Sequence, residues 1–452
     1  MKTLIETLSR ATLVSLLLSL SATSPTTAAD LNVPADHPTI QDAVDAAQTD
    51  DTIRIAPGVY TDQVRIISKA LTLIGQPGTI LRATEAMSQF PAGTQQFPII
   101  GVRSSQVTLR GLAFEGERLA ESFVGPGELK GIFLRESSAN VENCAFYGFR
   151  ESAPGPATAT AVVATGFADG EVNVRVAGCT FADNYRAIVV VGLPDRQSMN
   201  VTIENNTIIG LGPLDTQSNN YSGIAIREGV GGRIAGNTIS GYSYVGTAAE
   251  FPIGFGILAL NEANGQVAAG ILQPLEIEGN TLRDNQVHIA LIKGDGSVVK
   301  NNRFQGTAPG IIPLGLSVSG TNVTIANNQF EAMPEGIRLL GNDPMFGTLL
   351  GAALDAQVTS NRFCNVTTPV NLQPLATATE TGTSLGPCSS PPLAIAPAVL
   401  VSWPAEEAGW TVESATSVDG PWAASDATPF TQYGRHSVAV PSEGGRRFFR
   451  LR

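Results

Sequence analysis

Histidine, cysteine, methionine and tryptophan are scarce, at 3, 4, 5 and 3 copies in 452 residues. So few metal-binding side chains argue against a multi-copper or haem site, and His37, His288 and His436 are too scattered to form a cluster. Charged residues make up 15% of the chain and aromatics 6%. The charged fraction is well below the usual quarter, which fits neither a helical bundle nor a disordered chain. Positive charge is also short: 28 Lys and Arg face 40 Asp and Glu, a formal net charge of −12. That balance argues against nucleic acid or an anionic membrane as a general partner. What is plentiful is glycine (47) and proline (28) within a 43% apolar chain. This composition predicts many short strands joined by turns, and the length suits one large domain with a small one.

Lys2 and Arg10 precede an apolar run from Ala11 to Leu20 that is short for a membrane span. Thr27-Ala28-Ala29 before Asp30 offers small residues for cleavage, so residues 1–29 read as a secretory signal peptide. Removing them takes away Lys2, Arg10 and Glu6, a net +1, and leaves −13. No second apolar run of about 18 residues follows. The expectation is therefore a secreted protein, periplasmic or extracellular, with no membrane span and with disulfides permitted.

One pattern recurs along the middle of the chain: apolar residues at alternate positions, a small or polar pair, then an apolar residue two further on. Val107-Thr-Leu-Arg-Gly-Leu112-Ala-Phe114 and Val201-Thr-Ile-Glu-Asn-Asn206-Thr-Ile208 are examples. The anchor, two before the last apolar residue, falls at Leu112, Cys144, Cys179, Asn206, Asn237, Asn280, Asn302, Asn328 and Asn361. The intervals run from 22 to 43 residues. Units this small cannot bury their own apolar face and must stack. A parallel β-helix tolerates unequal intervals because insertions fall in its turns. Stacking would bring Asn206, Asn237, Asn280, Asn302, Asn328 and Asn361 into a structural ladder of amides about 4.8 Å apart. A second strand follows most anchors, often opening with glycine, as in Gly131-Ile-Phe-Leu134 and Gly336-Ile-Arg-Leu339, so each coil holds at least two strands. Ahead of the coils, residues 38–47 read as a short amphipathic helix with Thr39 as N-cap, placed to cover the open end of the solenoid.

The run T-I-Q-D-A-V-D-A-A, then D-T-I-R-I-A-P-G-V-Y, followed by the V-x-I-x-x-N-x-F coils, resembles the right-handed parallel β-helix of the pectin-lyase-like superfamily. The resemblance covers about residues 30–370. It implies an all-β fold with an N-terminal helical cap and a carbohydrate-acting or carbohydrate-binding role, without specifying a reaction. Four segments are expected: the signal peptide 1–29, the β-helix 30–365, a Pro/Thr/Ala-rich linker 366–396, and a small C-terminal β-sandwich-like domain 397–452. The last holds Trp403, Trp410 and Trp422, every tryptophan in the chain. Cys144 and Cys179 take anchor positions as small buried residues. Cys364 and Cys388 are expected to form a disulfide tying the linker to the last coil. Nothing has paired C-x-x-C metal spacing.

Two features nominate a binding face. Charged residues follow the second strands: Arg135, Glu136, Arg227, Glu228, Glu262, Lys293 and Asp295. In register they would form a strip of alternating cations and carboxylates suited to an acidic polysaccharide. Tyr147, Tyr185, Tyr221, Tyr242 and Tyr244 lie in the loops before the second strands, where exposed rings could stack on sugars. The motifs of pectate lyases, polygalacturonases and pectin esterases are absent. If the chain is a lyase, Arg227 or Lys293 would supply the catalytic group and Glu228 or Glu262 would hold Ca²⁺. If it is a glycoside hydrolase, Glu228 and Glu262 on neighbouring coils would be the carboxylate pair. No resident cofactor or metal is otherwise implied. The leading expectation is a secreted, monomeric protein that binds, and in one version cleaves, an acidic polysaccharide or cell-surface glycan along one face. The alternative is a structural or adhesive surface β-helix without catalysis.

Overall fold

The computed structural model describes residues 28–123, 125, 127–152, 159–166, 172–193, 199–214, 221–247, 253–260, 273–307, 310–342, 350–386, 398–404, 410–415, 417, 419–424, 430–432, 435–441 and 448–452. Residues 1–27, Glu262 and Cys388 lie outside this set, so the signal peptide, one proposed acid and the expected partner of Cys364 do too. Cys364 itself is fully buried.

The chain winds into stacked coils with three strands each, one more than the pattern required. One strand per coil joins a 13-stranded parallel sheet running from Asp30–Val33 to Ala378–Thr381 (the first sheet). After a bend comes a short strand such as Ala145–Tyr147 or Thr207–Ile209 (the short ladder). The third strand, such as Glu128–Arg135 or Ser222–Arg227, belongs to the long ladder. Every pairing between the solenoid's described strands is parallel, so identical positions stack. On the first sheet the inward row Leu73, Leu109, Val141, Val176, Ile203, Ile234, Ile277, Val299, Ile325 and Val358 is in continuous register and fully buried. On the short ladder, Phe114, Phe146 and Phe181 stack with centroids 4.8 Å apart, and Phe304, Phe330 and Phe363 repeat the arrangement at 4.7 and 4.8 Å. Ile208, Ile239 and Leu282 fill the row between them. Each such side chain contributes about 1.5–3 kcal/mol by leaving water.

The bend between these strands is the same in every coil. The residue before the anchor has positive φ: Gly111, Asn143, Gly178, Asn205, Gly236, Gly279, Asn301, Asn327 and Ser360. Glycine and asparagine dominate because they enter the left-handed region at the smallest steric cost. The bend leaves backbone groups unpaired, and the anchors occupy them. Asn206 Nδ2 donates to Asn237 Oδ1 at 2.9 Å, and the series continues through Asn280, Asn302, Asn328 and Asn361 at 2.9–3.1 Å. Each Oδ1 also accepts the backbone N–H of the preceding anchor, as Asn280 does from Asn237. Each Nδ2 also reaches a carbonyl on the neighbouring coil, as Asn280 does to Ile234. Cys179 N–H donates to Asn206 Oδ1 at 2.9 Å, and Cys144 N–H faces Cys179 Sγ at 3.4 Å. Both of these cysteines are free and buried.

The helix forms over Ile40–Ala46 with Thr39 as N-cap, and it buries Ile40, Ala43 and Val44 against the first coil. Asp62 Oδ2 accepts the N–H groups of Ile40 and Gln41 at 3.0 and 3.3 Å. Lys69 Nζ donates to the carbonyls of Val44, Asp45 and Ala47 at 2.7, 3.2 and 2.8 Å. Both helix ends are thereby satisfied by oppositely charged partners, in the sense that the helix dipole favours.

The stretch expected to begin a linker at 366 instead continues the solenoid. Arg362–Leu372 pairs with Gln329–Leu339 through Leu372, and Ala378–Thr381 pairs with Ala356–Thr359. Ser384–Leu385 adds a last rung on Arg362–Phe363. Strand period was hard to read here because the end coil has no successor to bury it. Thr367, Thr368 and Thr379 are exposed on strands whose backbones pair on one side. The strands Ala398–Pro404, Phe430–Gln432 and Arg435–Pro441 form one three-stranded antiparallel sheet and Val412–Ala415, Ala423–Ala424 and Phe448–Leu451 another, with Trp403, Val412 and Val438 in a shared buried cluster. Arg450 lies 4.4 Å over the Trp422 ring and Trp410 is exposed. Among the described residues no helix is long and apolar enough to cross a membrane.

Two stability predictions follow from the interior. Asn280→Ala removes both a donor and an acceptor from the file of amides and leaves buried groups on two coils unpaired. It should cost on the order of 3 kcal/mol in urea denaturation, whereas an exposed substitution such as Thr379→Ala should cost little. His288 is fully buried, with Nδ1 3.2 Å from Asn285 Nδ2 and its ring near Phe304. Burial pushes its pKa down to about 3. The folded value is below the unfolded one, near 6.5, so stability is full above pH 6.5 and is lost as pH falls towards 3. The slope is about 1.4 kcal/mol per pH unit, and His288→Leu should remove that share from the acid dependence.

Candidate functional site

Outward residues of the long ladder stack in rows just as inward ones do. One row carries Lys130, Thr160, Arg186 and Ser222 on successive coils. A second carries Phe133, Val163, Val189 and Ala225, and a third carries Arg103, Arg135, Thr165, Val191 and Arg227. The middle row is apolar although it faces away from the interior. Phe133, Val163, Val189 and Ala225 form a buried cluster of their own with Phe90, which folds over Gly101. A Cβ at Gly101 would come within 2.3 Å of the Phe90 ring, so glycine is needed for that ring to close the strip.

The rows enclose a cleft of about 360 Å³. Phe133, Val163 and Val189 form its floor, Lys130, Thr160 and Arg186 one wall, and Arg135 and Thr165 the other, with Thr94, Gln96 and Glu128 at one end. Its ionisable groups are three cations and one carboxylate. Glu128 bridges two of the cations: it accepts from Lys130 Nζ in a short contact and from Arg186 at 3.1 Å. Lys130 Nζ lies 3.5 Å from Thr160 Oγ1. Lys130 is only 2% exposed. Burial, reinforced by the charge of Arg186 and opposed by Glu128, pulls its pKa down to about 8. The Arg186 guanidinium is likewise lowered, mainly by burial and further by the charge of Arg227. Its Nε is buried with no hydrogen-bond partner among the described residues. Chemically, this arrangement can neutralise an added anion, hold an apolar sugar face, and exchange a proton near neutral pH.

The expected charged strip is dispersed. Arg135 lines the cleft and pairs with Glu136 at 3.6 Å. Arg227 ends a strand three coils along in the same row, and Glu228, beside it, is 9% exposed. Lys293 follows Ile292, so it falls in the row of Glu136 and Glu228, two coils beyond Arg227. Asp295 Oδ1 accepts Thr321 N–H at 2.6 Å and is engaged in a turn. Among the described residues, no three His, Cys, Asp or Glu come together as a metal site. An alternating strip does exist, on the outer side of the first sheet. There Arg110, Glu142, Arg175 and Glu204 are joined at 2.6–2.7 Å. Arg233 and Glu278 extend the chain, and Lys300 joins Glu278 at 3.1 Å and Glu276 at 2.5 Å. There each charge already has a protein partner.

The tyrosines divide. Tyr147 is 42% exposed, as a sugar platform requires. Tyr185, Tyr221, Tyr242 and Tyr244 are buried, which corrects the expectation that they face a ligand. Their rings pack on one another, Tyr221 lying 4.8 Å from Tyr242 and 5.7 Å from Tyr244. Tyr185 donates to Glu151 Oε1 and Tyr221 to Gly241 O, both at 2.9 Å. With internal acceptors at hand the Tyr185 and Tyr221 hydroxyls do not need water; the Tyr242 hydroxyl is buried with no hydrogen-bond partner among the described residues, so there the apolar gain of the ring outweighs the unmet polar group. The residues missed from sequence are Glu128, Lys130, Thr160 and Arg186. Their signal was position: Lys130, Arg186 and Ser222 each stand immediately before the Gly or Ala that opens a second strand.

No curated protein matches this sequence. Among solved structures, the chain is similar to the polygalacturonase from Erwinia carotovora ssp. carotovora, at 13% identity and a TM-score of 0.46, over 83% of this chain and 99% of that one. It is also similar to DFA-IIIase from Arthrobacter chlorophenolicus A6, at 14% identity and 0.45, over 74% and 83%. The A-module of the mannuronan C-5 epimerase AlgE6 from Azotobacter vinelandii gives 15% identity and 0.37, over 77% and 94%. Residues 130–330 match the family model for the right handed beta helix region. Together with the parallel strands stacked coil upon coil, that match identifies the protein as a right-handed parallel β-helix.

Proposed function

We propose that this protein binds an anionic polysaccharide on the outer face of the long ladder, with a uronate carboxylate held by Arg186 and Arg135 and a sugar face laid on Phe133, Val163 and Val189. The observation that carries this reading is the charge of the cleft. In a chain of net charge −12, two buried cations of the cleft, Lys130 and Arg186, share one carboxylate, Glu128, and Arg186 keeps a buried Nε with no hydrogen-bond partner among the described residues. A ligand carboxylate completes the neutralisation, and it does so where burial strengthens charge-assisted hydrogen bonds. The first sheet lacks this appetite because its charges pair with one another. The reading places the protein outside the cytoplasm, where the pattern of residues 1–29 would send it.

A second reading, that the site also cleaves the bound chain, is favoured by Lys130. A lysine with a pKa near 8 is partly neutral in mildly alkaline solution. Its Nζ could take the C5 proton of a uronate whose carboxylate is neutralised by Arg186. The electron pair would form a C4=C5 double bond as the C4–O bond breaks, and the departing oxygen would be protonated by water.

Binding is tested by the affinity of wild-type protein for uronate and for neutral oligosaccharides. Arg186→Gln and Arg135→Gln should each weaken uronate binding about tenfold or more. Arg233→Gln on the first sheet should leave it unchanged. Equal affinity in Arg186→Gln would rule out this placement of the site. Cleavage is tested by the absorbance of unsaturated products from uronate polymers, with and without Ca²⁺. The rate should rise with pH through about 8 as Lys130 loses its proton, and it should vanish in Lys130→Met. No absorbance gain at any pH would sink the cleavage reading and leave the binding reading standing.

A further inference from the structure

The first rung of the solenoid has an unusual partner. Ala29 N–H donates to Asp51 Oδ1 at 2.7 Å, and Ala29 O accepts Thr52 N–H at 2.8 Å. Asp51 is 6% exposed, and its other oxygen accepts Gln48 N–H at 2.7 Å. Among the described residues no Lys or Arg forms an ion pair with it. Arg54 on the same strand is taken by Asp30 at 3.0 Å, and Lys69 is held by the helix carbonyls. A carboxylate this buried without a counter-charge is rare and costly. The residues on either side of the Ala28–Ala29 bond are exposed, and the bond lies just ahead of the strand Asp30–Val33.

We infer that the mature chain begins at Ala29, through cleavage of the Ala28–Ala29 bond by a leader peptidase, and that its new α-ammonium is the missing counter-ion of Asp51. Water adds across the peptide bond: its hydroxyl goes to the Ala28 carbonyl carbon and its proton to the Ala29 nitrogen. Ala28 leaves as a carboxylate and Ala29 keeps an ammonium at the position that already contacts Asp51. Small residues suit such a peptidase at the first and third positions before the cut. Thr26 and Ala28 satisfy this as well as Thr27 and Ala29 do, so the sequence permits both neighbouring bonds. Packing separates them. A cut after Ala29 removes both the donor to Asp51 and the acceptor of Thr52 N–H, and moves the ammonium about 3.8 Å along the chain. Removal of the leader thus completes the first coil electrostatically. This inference rests on the export reading but not on the choice of ligand.

The test is the N-terminus of the full-length chain exported from a bacterial host, read by intact mass and N-terminal sequencing. Ala29 as first residue is the expected result. A start at Asp30 or elsewhere overturns the assignment while leaving export intact, and an uncut chain overturns both. The ion pair has its own test, using purified chains with Ala29 first or with one extra Gly ahead of it. The extension turns the ammonium into an amide and should lower the thermal midpoint by on the order of 2 °C. Asp51→Asn should cause a similar drop in the Ala29-first chain and a smaller one in the extended chain. Equal midpoints for the two wild-type chains would overturn the pairing.

Discussion

The bend that follows each strand of the first sheet governs the rest of the molecule. A residue in the left-handed region turns the backbone sharply and leaves buried N–H and C=O groups that neither sheet can reach. An asparagine amide satisfies them only if the next coil presents its own amide at the same height, about 4.8 Å away. From Asn206 to Asn361 that condition holds without interruption, although the chain between successive anchors varies from 22 to 43 residues. Length differences are pushed into the turns and register is preserved everywhere else.

Preserved register converts sequence into rows. Inside, it stacks Phe146 on Phe114 and Phe181 and runs a file of Ile, Leu and Val down the first sheet. Outside, it aligns charges, and the two large faces use that differently. On the first sheet, Arg110, Glu142, Arg175 and Glu204 neutralise one another. Exposed pairs of that kind contribute about 0–1 kcal/mol each and leave little field for a ligand. On the long ladder Lys130 and Arg186 share the single carboxylate of Glu128 beside an apolar row, so positive charge is left over in a place from which water is partly excluded.

Some of this was legible in the sequence for a physical reason. The bend makes the same local demand in each coil, so N-x-[FIL] recurs with a Gly, Asn or Ser before it. The short helix was legible because Thr39 and the apolar spacing of Ile40, Ala43 and Val44 are local signals. The tyrosines were misread because exposure is not a local property: Tyr221 is inside because Tyr242, Tyr244 and Gly241 from the following coil receive it. The strands after Val366 were missed because an end coil needs fewer apolar residues than one buried on both sides.

The sequence by itself determined the coil: where the chain bends, which alternate residues of each first-sheet strand face inward, and that successive turns must stack, since each is dictated by groups a few residues apart. Only the tertiary structure decided which side chains the outer face brings together. Lys130 and Arg186 are separated by 56 positions and a further coil, yet they share Glu128, because parallel register sums the intervening loops into two strand spacings. Asp51 likewise meets Ala29 only through that register. Burial then sets the chemistry, lowering Lys130 and leaving Arg186 with an unused donor, and burial depends on neighbours that no single segment contains.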